Sequence, residues 1–546
     1  MRSYILRIHP ADSILVALKN LHSGETVEYN GLTYTLKENI PVKHKFYMND
    51  SPAGTDVIMY GVLVGKTKTT VEAGSRVSTE NLEHASGKYD FRNAQYRWNP
   101  PDNSKFRDAF FKGYHRKDGR VGTANYWLFI PTVFCENRNL DVIKEVLQDE
   151  LGYSVTEKYK AFTRELIQAR QNANQLLAPE SLSAATQARS RVFKNVDGIR
   201  FLNHDGGCGG IRQDSTVLGK LLASYANHPN VGGITILSLG CQHLQSDELL
   251  NEIKKLDAGF DKPIYIFEQQ QSRSEEQLIQ EAIRKTFEGL SKIDQLQRQP
   301  ASLDKLCIGV KCGGSDGFSG ITANPAVGYC ADLLVSLGGK VLLAEFPELC
   351  GVEQELVDRS VNETVARKFI TLMRDYESSA QRAGSGFHMN PSPGNIKDGL
   401  ITDAMKSAGA AKKGGNAPIV DVLDYTEPAT KSGLSLVCTP GNDVEATTGQ
   451  AASGATLILF TTGLGTPTGN PVCPTIKISS NTALARRMPD IIDIDTGVII
   501  EGEKTLEEMG EEILSYCVRA ASGEIIPKAV LLNQDDFIPW KRGVSL

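Results

Sequence analysis

A histidine, a cysteine and an aspartate lie close together in one glycine-rich stretch of the chain. His204 and Cys208 flank the pair Gly206-Gly207, and Asp214 follows shortly after. Glycines at this density allow tight turns and a close approach of the backbone to a ligand. An imidazole, a thiol and a carboxylate in one such turn are suited to metal binding or to acid/base chemistry. A structural turn with a buried cysteine is the alternative interpretation.

Other candidate groups follow apolar runs that are typical of buried strands. Cys241 comes directly after such a run, and Glu345 leaves another one together with two further glutamates, which are oxygen ligands of the kind that divalent ions prefer. Cys312 opens the loop Gly313, Gly314, Ser315 and Asp316, which precedes a predicted helix. Backbone N–H groups at such a loop are expected to bind an anion such as a carboxylate.

Polar groups elsewhere are weaker signals by themselves. Lys477 follows a Thr-rich turn and suits a polyhydroxy acid, although ordinary surface hydroxyls are an equal alternative. His44 and Lys45 form a basic pair in the N-terminal part, where such a pair usually belongs to a solvent-exposed strand edge.

The predicted secondary structure changes along the chain that carries these candidates. Residues 1–95 contain short β-rich runs separated by glycines, at 27–29, 32–36, 57–60 and 69–71, and a capped helix is predicted at 12–18. After a polar linker at 96–110, predicted strands alternate with predicted helices in two α/β domains, 111–300 and 301–546, each with a mainly parallel sheet. The polar stretch 157–194 is predicted to be helical. The fold class is therefore α/β and multidomain, with an N-terminal all-β domain.

Composition restricts the class of partner. The 546 residues carry a net charge of −6, and 40% are hydrophobic and 23% charged, as in ordinary globular proteins. We expect no nucleic-acid partner, which would call for a basic face, and no membrane partner, since no window approaches the roughly 18 apolar residues of a spanning helix. The ten cysteines form no CxxC pair, so a zinc ribbon or disulfide framework is not indicated.

The same residues carry a resemblance to the altronate/galactarate dehydratase family along essentially the whole chain. The matching stretches in order are residues 44–46, 118–122, 204–208, 312–317, 320–325, 390–395, 439–443 and 474–477. No single stretch is specific enough to identify the family. The order of the stretches and their spread over all three domains are specific to it. Asn324 belongs to one of these stretches.

The resemblance implies an N-terminal SAF domain of the β-clip type and an iron(II)- or manganese(II)-assisted dehydration of an aldonate or aldarate. For altronate the product would be 2-keto-3-deoxy-D-gluconate, in cytoplasmic hexuronate breakdown. We predict that His204, Cys208 and Asp214 help to build the metal site, with Cys241, Cys312 and Glu345 as further ligands. An iron–sulfur cluster on Cys208, Cys241 and Cys312 stays open.

For the chemistry, a base must remove the C2 proton beside a carboxylate, and an acid must protonate the departing 3-hydroxyl. We predict that His44, Lys45 and His204 supply these groups. The small sugar-acid substrate would be bound by Gly313, Gly314, Ser315, Asp316, Asn324 and Lys477.

Several positions depart from the family pattern: Gln242 in place of Glu, Lys311 in place of an acidic or amide residue, Ala410 in place of Cys or Ser, Leu464 in place of Arg, and Ala124 in place of Arg. The missing guanidinium at Leu464 bears on substrate choice, because Arg binds carboxylates bidentately. Galactarate or another hexonate, a sulfolactate sulfo-lyase-like reaction, and a sugar-acid sensor without turnover therefore stay alternatives. The sequence leaves open whether the chain is a monomer or a homo-oligomer.

Overall fold

The computed structural model describes residues 4–171 and 190–545. Their contacts divide the chain into two compact units: a first unit of Met1–Lys112 and Pro300–Ala529, and a second unit of Gly113–Gln299 and Val530–Leu546. Within the described ranges, every helix is too short or too polar to cross a lipid bilayer.

The N-terminal part of the first unit is built from short strands that pair only antiparallel. The strands are β1 (Ile5–Leu6), β2 (Ile14–Ala17), β3 (Thr26–Tyr29), β4 (Leu32–Thr35), β5 (Lys45–Tyr47), β6 (Asp56–Met59), β7 (Val62–Thr67) and β8 (Leu82–Glu83). They form the small sheets β1-β2-β5, β3-β4 and β6-β7-β8. Leu15, Leu36 and Phe46 belong to their shared apolar core. The predicted all-β N-terminal domain is confirmed.

Two local predictions in this part are wrong. Residues 12–18 were expected to begin a helix, but they contain β2, whose four residues are all buried. The run is rich in β-branched and aliphatic side chains and lies between two partner strands, and this burial overrides its modest helix signal. Asp12 instead accepts from the N–H groups of His9 and Gly61, so its carboxylate caps a turn. Residues 69–71 form no strand, and Val71 makes only an isolated bridge to Ser51.

The second unit contains a four-stranded parallel sheet in the order β12-β11-β13-β14. The strands of this part of the chain are β9 (Phe110–His115), β10 (Val121–Gly122), β11 (Tyr126–Pro131), β12 (Gly198–Phe201), β13 (Val231–Ser238) and β14 (Ile264–Glu268). The helices are α1 (Asn137–Glu150), α2 (Glu157–Gln171), α3 (Arg212–Asn227), α4 (Ser246–Leu256) and α5 (Glu275–Ile293).

Trp127 lies at the centre of the core of this unit. Its indole N–H donates to Thr235, and Gly233 and Gly289 leave no room for a side chain beside its ring. The strands and helices predicted here from apolar runs are confirmed. Of the helical stretch predicted at 157–194, α2 confirms the first part, whereas residues 172–189 lie outside the described residues.

The C-terminal part of the first unit contains a seven-stranded parallel sheet in the order β18-β19-β17-β16-β20-β21-β22. After β15 (Gln299–Ser302), its strands are β16 (Cys307–Cys312), β17 (Lys340–Leu343), β18 (Ile419–Leu423), β19 (Gly433–Val437), β20 (Leu457–Thr462), β21 (Thr475–Ser479) and β22 (Ile494–Asp495). The helices are α6 (Ala323–Ser336), α7 (Glu353–Asp358), α8 (Glu363–Arg382), α9 (Pro393–Lys397), α10 (Asp403–Ala411), α11 (Asp443–Ala452), α12 (Thr482–Arg487), α13 (Leu506–Ala521) and α14 (Lys528–Leu531). The predicted fold class, an all-β domain followed by two α/β parts with parallel sheets, is confirmed.

The strand order of this sheet reverses at β16. From β16 the chain continues to β17 on one side, whereas β20 lies on the other side. In open parallel sheets, ligands bind outside the carboxyl ends of the strands at such a switch point. The topology therefore directs attention to the loops that follow β16 and β20.

Candidate active site

The loops after β16 and β20 pack directly on each other. Gly313 donates its N–H to the carbonyl of Thr461, and Gly463 donates to the carbonyl of Gly314. A Cβ atom at Gly463 would lie 2.2 Å from Cγ of Asp316, so only glycine fits there. The predicted anion-binding loop therefore lies at the switch point of the sheet.

Two backbone donors of this loop remain available. Among the described residues, no protein acceptor takes the N–H of Gly314 or of Ser315. Gly314 adopts a left-handed conformation with φ of 59°. Adjacent N–H groups in such a turn form a concave site that favours an anionic oxygen. The backbone here is thus suited to a carboxylate, and carboxylate binding by this loop stays a prediction.

The side chain of Asp316 holds this loop together. Its buried carboxylate accepts hydrogen bonds from Ser480 at 2.7 Å, Ser319 at 2.9 Å and Asn481 at 3.1 Å. It also pairs with the ammonium of Lys43 at 2.9 Å. The side chain of Asp316 is therefore fully used inside the protein, and its predicted contact with substrate stays a prediction.

Lys43, His44 and Lys45 of the β domain lie against this loop and against the segment around Lys397. Lys43 has a φ of 77°, which is strained for a residue with a side chain. A Cβ atom at either Gly317 or Gly399 would lie 2.6 Å from the carbonyl oxygen of Lys43. The two glycines thus allow the three basic residues to approach the C-terminal part of the unit.

His44 presents a nitrogen lone pair. Its Nε2 lies 2.9 Å from the carbonyl oxygen of Lys397, and a carbonyl can only accept, so Nε2 carries the proton. Nδ1 is then unprotonated, and it is buried without a hydrogen-bond partner among the described residues. Burial lowers the pKa of His44 most, partly offset by the Lys397 carbonyl. A neutral imidazole with one bare nitrogen is suited to act as a base.

Lys45 is fully buried, and its Nζ donates to the carbonyl of Gly399 at 2.6 Å. Burial lowers the pKa of Lys45 to about 7, against the opposing attraction of Asp316. An amine with this pKa exchanges its proton near neutral pH, as a general acid or base must.

A buried cluster of charges lies at the end of β16. Glu345 pairs with Lys311 and, at 3.0 Å, with Lys413. Lys413 also donates to the sulfur of Cys312 at 2.8 Å, and this sulfur lies 3.1 Å from Glu348. The neighbouring contacts are Lys406 to Glu348 at 2.8 Å and Lys311 to Asp443 at 2.9 Å.

The pKa values in this cluster follow from burial and charge. Burial raises the pKa of Cys312 to about 12 and raises that of Glu345. Burial would also raise the pKa of Glu348, but Lys406, Lys311 and Lys413 together lower it to about 2. The thiol is therefore protonated at neutral pH, and Glu348 is ionised.

The cluster contains three potential metal ligands. In residues 4–171 and 190–545, Cys312, Glu345 and Glu348 are the one group of potential ligands whose atoms lie within 4.8 Å of one another. However, Lys311, Lys406 and Lys413 already neutralise these carboxylates and would repel a divalent ion at close range. As folded, the group does not fit such an ion. The predicted ligand roles of Cys312 and Glu345 stay predictions that would require the lysines to move away.

The remaining predicted residues of the first unit lie in its interior. Asn324 donates to the carbonyl of Gly409 at 3.0 Å and accepts from Thr461 at 2.6 Å. Lys477 is buried with its Nζ 3.6 Å from the centre of the Phe460 ring. These contacts stabilise the sheet, and substrate binding by Asn324 and Lys477 stays a prediction.

Of the predicted residues of the second unit, His204 lies on the loop after β12 and Asp214 lies in the first turn of α3. His204 is buried, with Nε2 2.9 Å from the carbonyl oxygen of Pro131 and Nδ1 accepting from Gly206. Burial lowers its pKa, so the ring is neutral and both nitrogens have partners. Asp214 accepts from the N–H groups of Arg542 and Gly543. The ligand and acid/base roles of these two residues stay predictions.

Cys208, on the loop after β12, and Cys241, on the loop after β13, are exposed. Gln270 donates to the sulfur of Cys241 at 3.2 Å. Cys208 lines a surface cleft together with Asp214, His243 and Lys541. The structure therefore brings the predicted thiols to an accessible edge of the second unit.

Sequence reasoning missed several residues of these sites. Glu348 was noticed as one of three glutamates but was not proposed as a site residue, and Lys43 adjoins the predicted pair His44-Lys45. Cys135 follows β11 just as Cys241 follows β13, so the rule that led to Cys241 would have found it. Lys406 and Lys413 gave no signal, because they approach the cluster only through the fold.

The fold and the site define an α/β protein in which a glycine-rich loop with two available backbone N–H groups lies at the switch point of a parallel sheet, near His44 and Lys45. Three family models match the chain in order. They describe the altronate/galactarate dehydratase SAF domain at residues 3–85, the D-galactarate dehydratase/altronate hydrolase second domain at 113–294, and the D-galactarate/altronate dehydratase C-terminal domain at 303–545.

Relatives of known name match over almost the whole length. The chain is 31% identical to the altronate dehydratase of Bacillus subtilis (strain 168) over 551 residues, which cover 100% of both chains. It is 31% identical to the altronate dehydratase of Escherichia coli (strain K12), with 99% of each chain covered. It is also 31% identical to the galactarate dehydratase (L-threo-forming) of Escherichia coli (strain K12), over 96% of this chain and 93% of that one. The protein belongs to the altronate/galactarate dehydratase family, and it is a hydro-lyase.

Proposed function

We propose that this enzyme converts D-altronate to 2-keto-3-deoxy-D-gluconate, in the cytoplasm and with iron(II) or manganese(II) as cofactor. The full-length similarity to two altronate dehydratases supports this substrate. The observation that carries the chemistry is the bare Nδ1 of His44 beside Lys45, at the loop that offers the N–H groups of Gly314 and Ser315.

The first chemical step removes the proton at C2 of the sugar acid. His44 is assigned as the base, because its Nδ1 lone pair is free to accept and its lowered pKa keeps the ring neutral. Lys397 fixes the tautomer by accepting the Nε2 proton through its carbonyl. The N–H groups of Gly314 and Ser315 would hold the substrate carboxylate, so that C2 faces this base.

The second step expels the 3-hydroxyl as water. Lys45 is assigned as the acid, because its pKa of about 7 lets its ammonium release a proton at neutral pH. The resulting enol tautomerises to the 2-keto acid. When bound, a divalent ion supplies Lewis acidity that stabilises charge developing on the carboxylate and the 2-hydroxyl.

The test is an anaerobic assay of the purified full-length protein with iron(II), offering D-altronate, galactarate and other hexonates in turn. Release of a 2-keto-3-deoxy acid from D-altronate, abolished by a chelator and restored by iron(II) or manganese(II), is the expected result. Turnover of galactarate but not of altronate would show that galactarate is the substrate. Binding of a hexonate without turnover would point to a sensor.

A matched pair of variants tests the assignment of the base. His44→Gln removes the Nδ1 lone pair and is expected to lower kcat by roughly 10²–10⁴-fold. His22→Gln changes an exposed histidine of the same β domain and should leave kcat unchanged. Wild-type kcat in His44→Gln would exclude this side chain from the chemistry.

A further inference from the structure

The cysteines of the chain differ sharply between the two units. The seven cysteines of the first unit are all buried. The three cysteines of the second unit, Cys135, Cys208 and Cys241, are all exposed. A free cysteine is usually a buried, small hydrophobic residue. Exposure of every cysteine in one unit therefore calls for a reason other than packing.

These three cysteines follow three neighbouring strands. Cys135 comes after β11, Cys208 after β12 and Cys241 after β13. β11 lies between the other two, and all three strands run parallel. Since the carboxyl ends of parallel strands meet at one edge of a sheet, the three thiols lie on adjacent loops of that edge.

Backbone contacts draw the three loops together. Phe134, next to Cys135, donates its N–H to the carbonyl of Gly206 at 3.0 Å, and His243 donates to the carbonyl of Gly207 at 3.0 Å. Gly207 has a φ of 97°, and a Cβ atom there would lie 2.2 Å from the carbonyl oxygen of Thr132. Only glycine allows this approach, which places Cys208 beside the loop that carries Cys135.

The edge therefore carries three exposed sulfur donors on loops that contact one another. Soft thiolate ligands favour zinc, copper(I) or iron–sulfur centres.

We propose that Cys135, Cys208 and Cys241 hold an iron–sulfur cluster, each through one iron. A single tetrahedral ion with metal–sulfur bonds of about 2.3 Å would require sulfur atoms roughly 3.8 Å apart. In the described ranges, however, these three sulfurs do not form a group within 4.8 Å. Thiolates on separate irons of a cluster lie further apart than thiolates on one ion, so this result excludes a single shared ion and leaves room for a cluster.

The cluster would have one iron without a cysteine. A four-iron cluster normally takes four cysteines, and this unit contains only three. Cys208 lines a cleft that is open to solvent, so this edge is accessible. The fourth iron would therefore accept an oxygen ligand, such as a carboxylate or hydroxyl of a hydroxy acid. Cys312, which the sequence left open as a cluster ligand, is instead buried in the first unit against Lys413.

The experiment measures cluster content, which is independent of turnover and so of the proposed substrate. The full-length protein is purified anaerobically and reconstituted with iron, sulfide and a thiol reductant. Iron and acid-labile sulfide are then counted per chain, and the visible absorption of the cluster is recorded. The same measurements are made on Cys135→Ser, Cys208→Ser, Cys241→Ser and the matched control Cys307→Ala, which changes a buried cysteine of the first unit. Circular dichroism verifies that each variant is folded.

The expected result is roughly four irons and four sulfides per chain. Each serine variant should lose most of the sulfide and the absorption, and Cys307→Ala should keep both. Iron without sulfide, zinc in place of iron, or a cluster that survives all three serine substitutions would overturn the proposal. If the cluster forms but no hexonate is turned over, the proposed function fails and this inference stands.

Discussion

At the scale of single residues, burial decides the chemistry of the candidate site. Lys45 and His44 are ordinary basic side chains in the sequence, yet desolvation lowers the pKa of both. Cys312 is an ordinary thiol, yet burial raises its pKa to about 12. The same residue types at the surface would have none of these properties, because water stabilises their charged forms.

The lowered pKa of Lys45 predicts a distinct dependence of stability on pH. Lysine titrates at 10.5 when unfolded and at about 7 here. Between these values the unfolded chain binds more protons, so this group makes the free energy of unfolding rise with pH. Lys45→Met removes that rise. The stability of the variant relative to wild type should therefore fall, by on the order of 4 kcal/mol, from pH 6 to pH 10.

Urea unfolding at a series of pH values measures this difference. Lys68→Met, which changes an exposed lysine of the same domain, serves as the control. Its difference in stability from wild type should be nearly independent of pH. A pH-independent difference between Lys45→Met and wild type would contradict the lowered pKa, since lost packing alone does not depend on pH.

The buried charge cluster predicts a large effect of removing one carboxylate. Glu345→Gln leaves the ammonium groups of Lys311 and Lys413 buried with one fewer negative charge. Breaking a buried pair in this way is expected to cost roughly 3–5 kcal/mol of stability. Glu363→Gln, which breaks an exposed pair with Arg367, should cost less than about 1 kcal/mol.

Urea denaturation compares the two variants. If Glu345→Gln does not fold, Glu345→Gln combined with Lys413→Met removes one unpaired charge as well and should recover part of the loss. Equal stability of Glu345→Gln and Glu363→Gln would mean that the cluster is hydrated.

At the scale of elements, glycines determine how closely the loops at the strand ends approach one another. Gly463 lets the loop after β20 reach Asp316, and Gly207 lets the loop after β12 reach the loop after β11. A side chain at either glycine would collide with the facing loop and push the two loops apart. The loops are therefore positioned by the absence of side chains as much as by hydrogen bonds.

Gly207→Ala tests this role. Both Gly207 and Gly119 have positive φ angles, but only at Gly207 would a Cβ atom collide with the backbone, whereas at Gly119 it meets nothing within 4 Å. Gly119→Ala therefore reports the strain of the conformation alone, about 1–3 kcal/mol. Gly207→Ala should cost more than this and should also reduce the iron retained by Cys135 and Cys208. Thermal denaturation and iron content measure both effects, and equal losses in the two variants would contradict a contact-based role.

At the scale of the whole molecule, the two compact units are not continuous in sequence. The N-terminal β domain belongs to the same unit as residues 300–529, and the last residues of the chain belong to the unit of the middle domain. Asp535 there pairs with the buried Arg200 of β12 at 2.7 Å, and Phe537 packs on Tyr225. The C-terminal segment is therefore part of the core of the second unit.

Asp535→Asn tests this contribution. It leaves the guanidinium of Arg200, whose side chain is only 4% exposed, without its charged partner. A loss of roughly 3–5 kcal/mol is expected. Asp536→Asn changes the adjacent, exposed carboxylate and should cost clearly less stability than Asp535→Asn. Limited proteolysis would show earlier cleavage within residues 113–299 only for Asp535→Asn, and indistinguishable digestion of the two variants would contradict a core role for Asp535.

Much of the fold and part of the site could be predicted from local sequence. The apolar runs before Cys241 and Glu345 predicted buried strands, and the glycine-rich loop after Cys312 predicted a backbone site for an anion. Residues 12–18 were misassigned, because pairing with two neighbouring strands overrides a weak helix signal.

The sequence alone determined the family, the order of its parts and the residue types available for chemistry, because these depend on short motifs and on periodicity. The tertiary structure alone decided which of those residues work together. It set Lys406 and Lys413 against Glu348 and Cys312, and it left Nδ1 of His44 without a partner. It also brought Cys135 to the edge that carries Cys208 and Cys241. Burial and contacts between distant segments determine these properties, and neither is encoded in the spacing of residues along the chain.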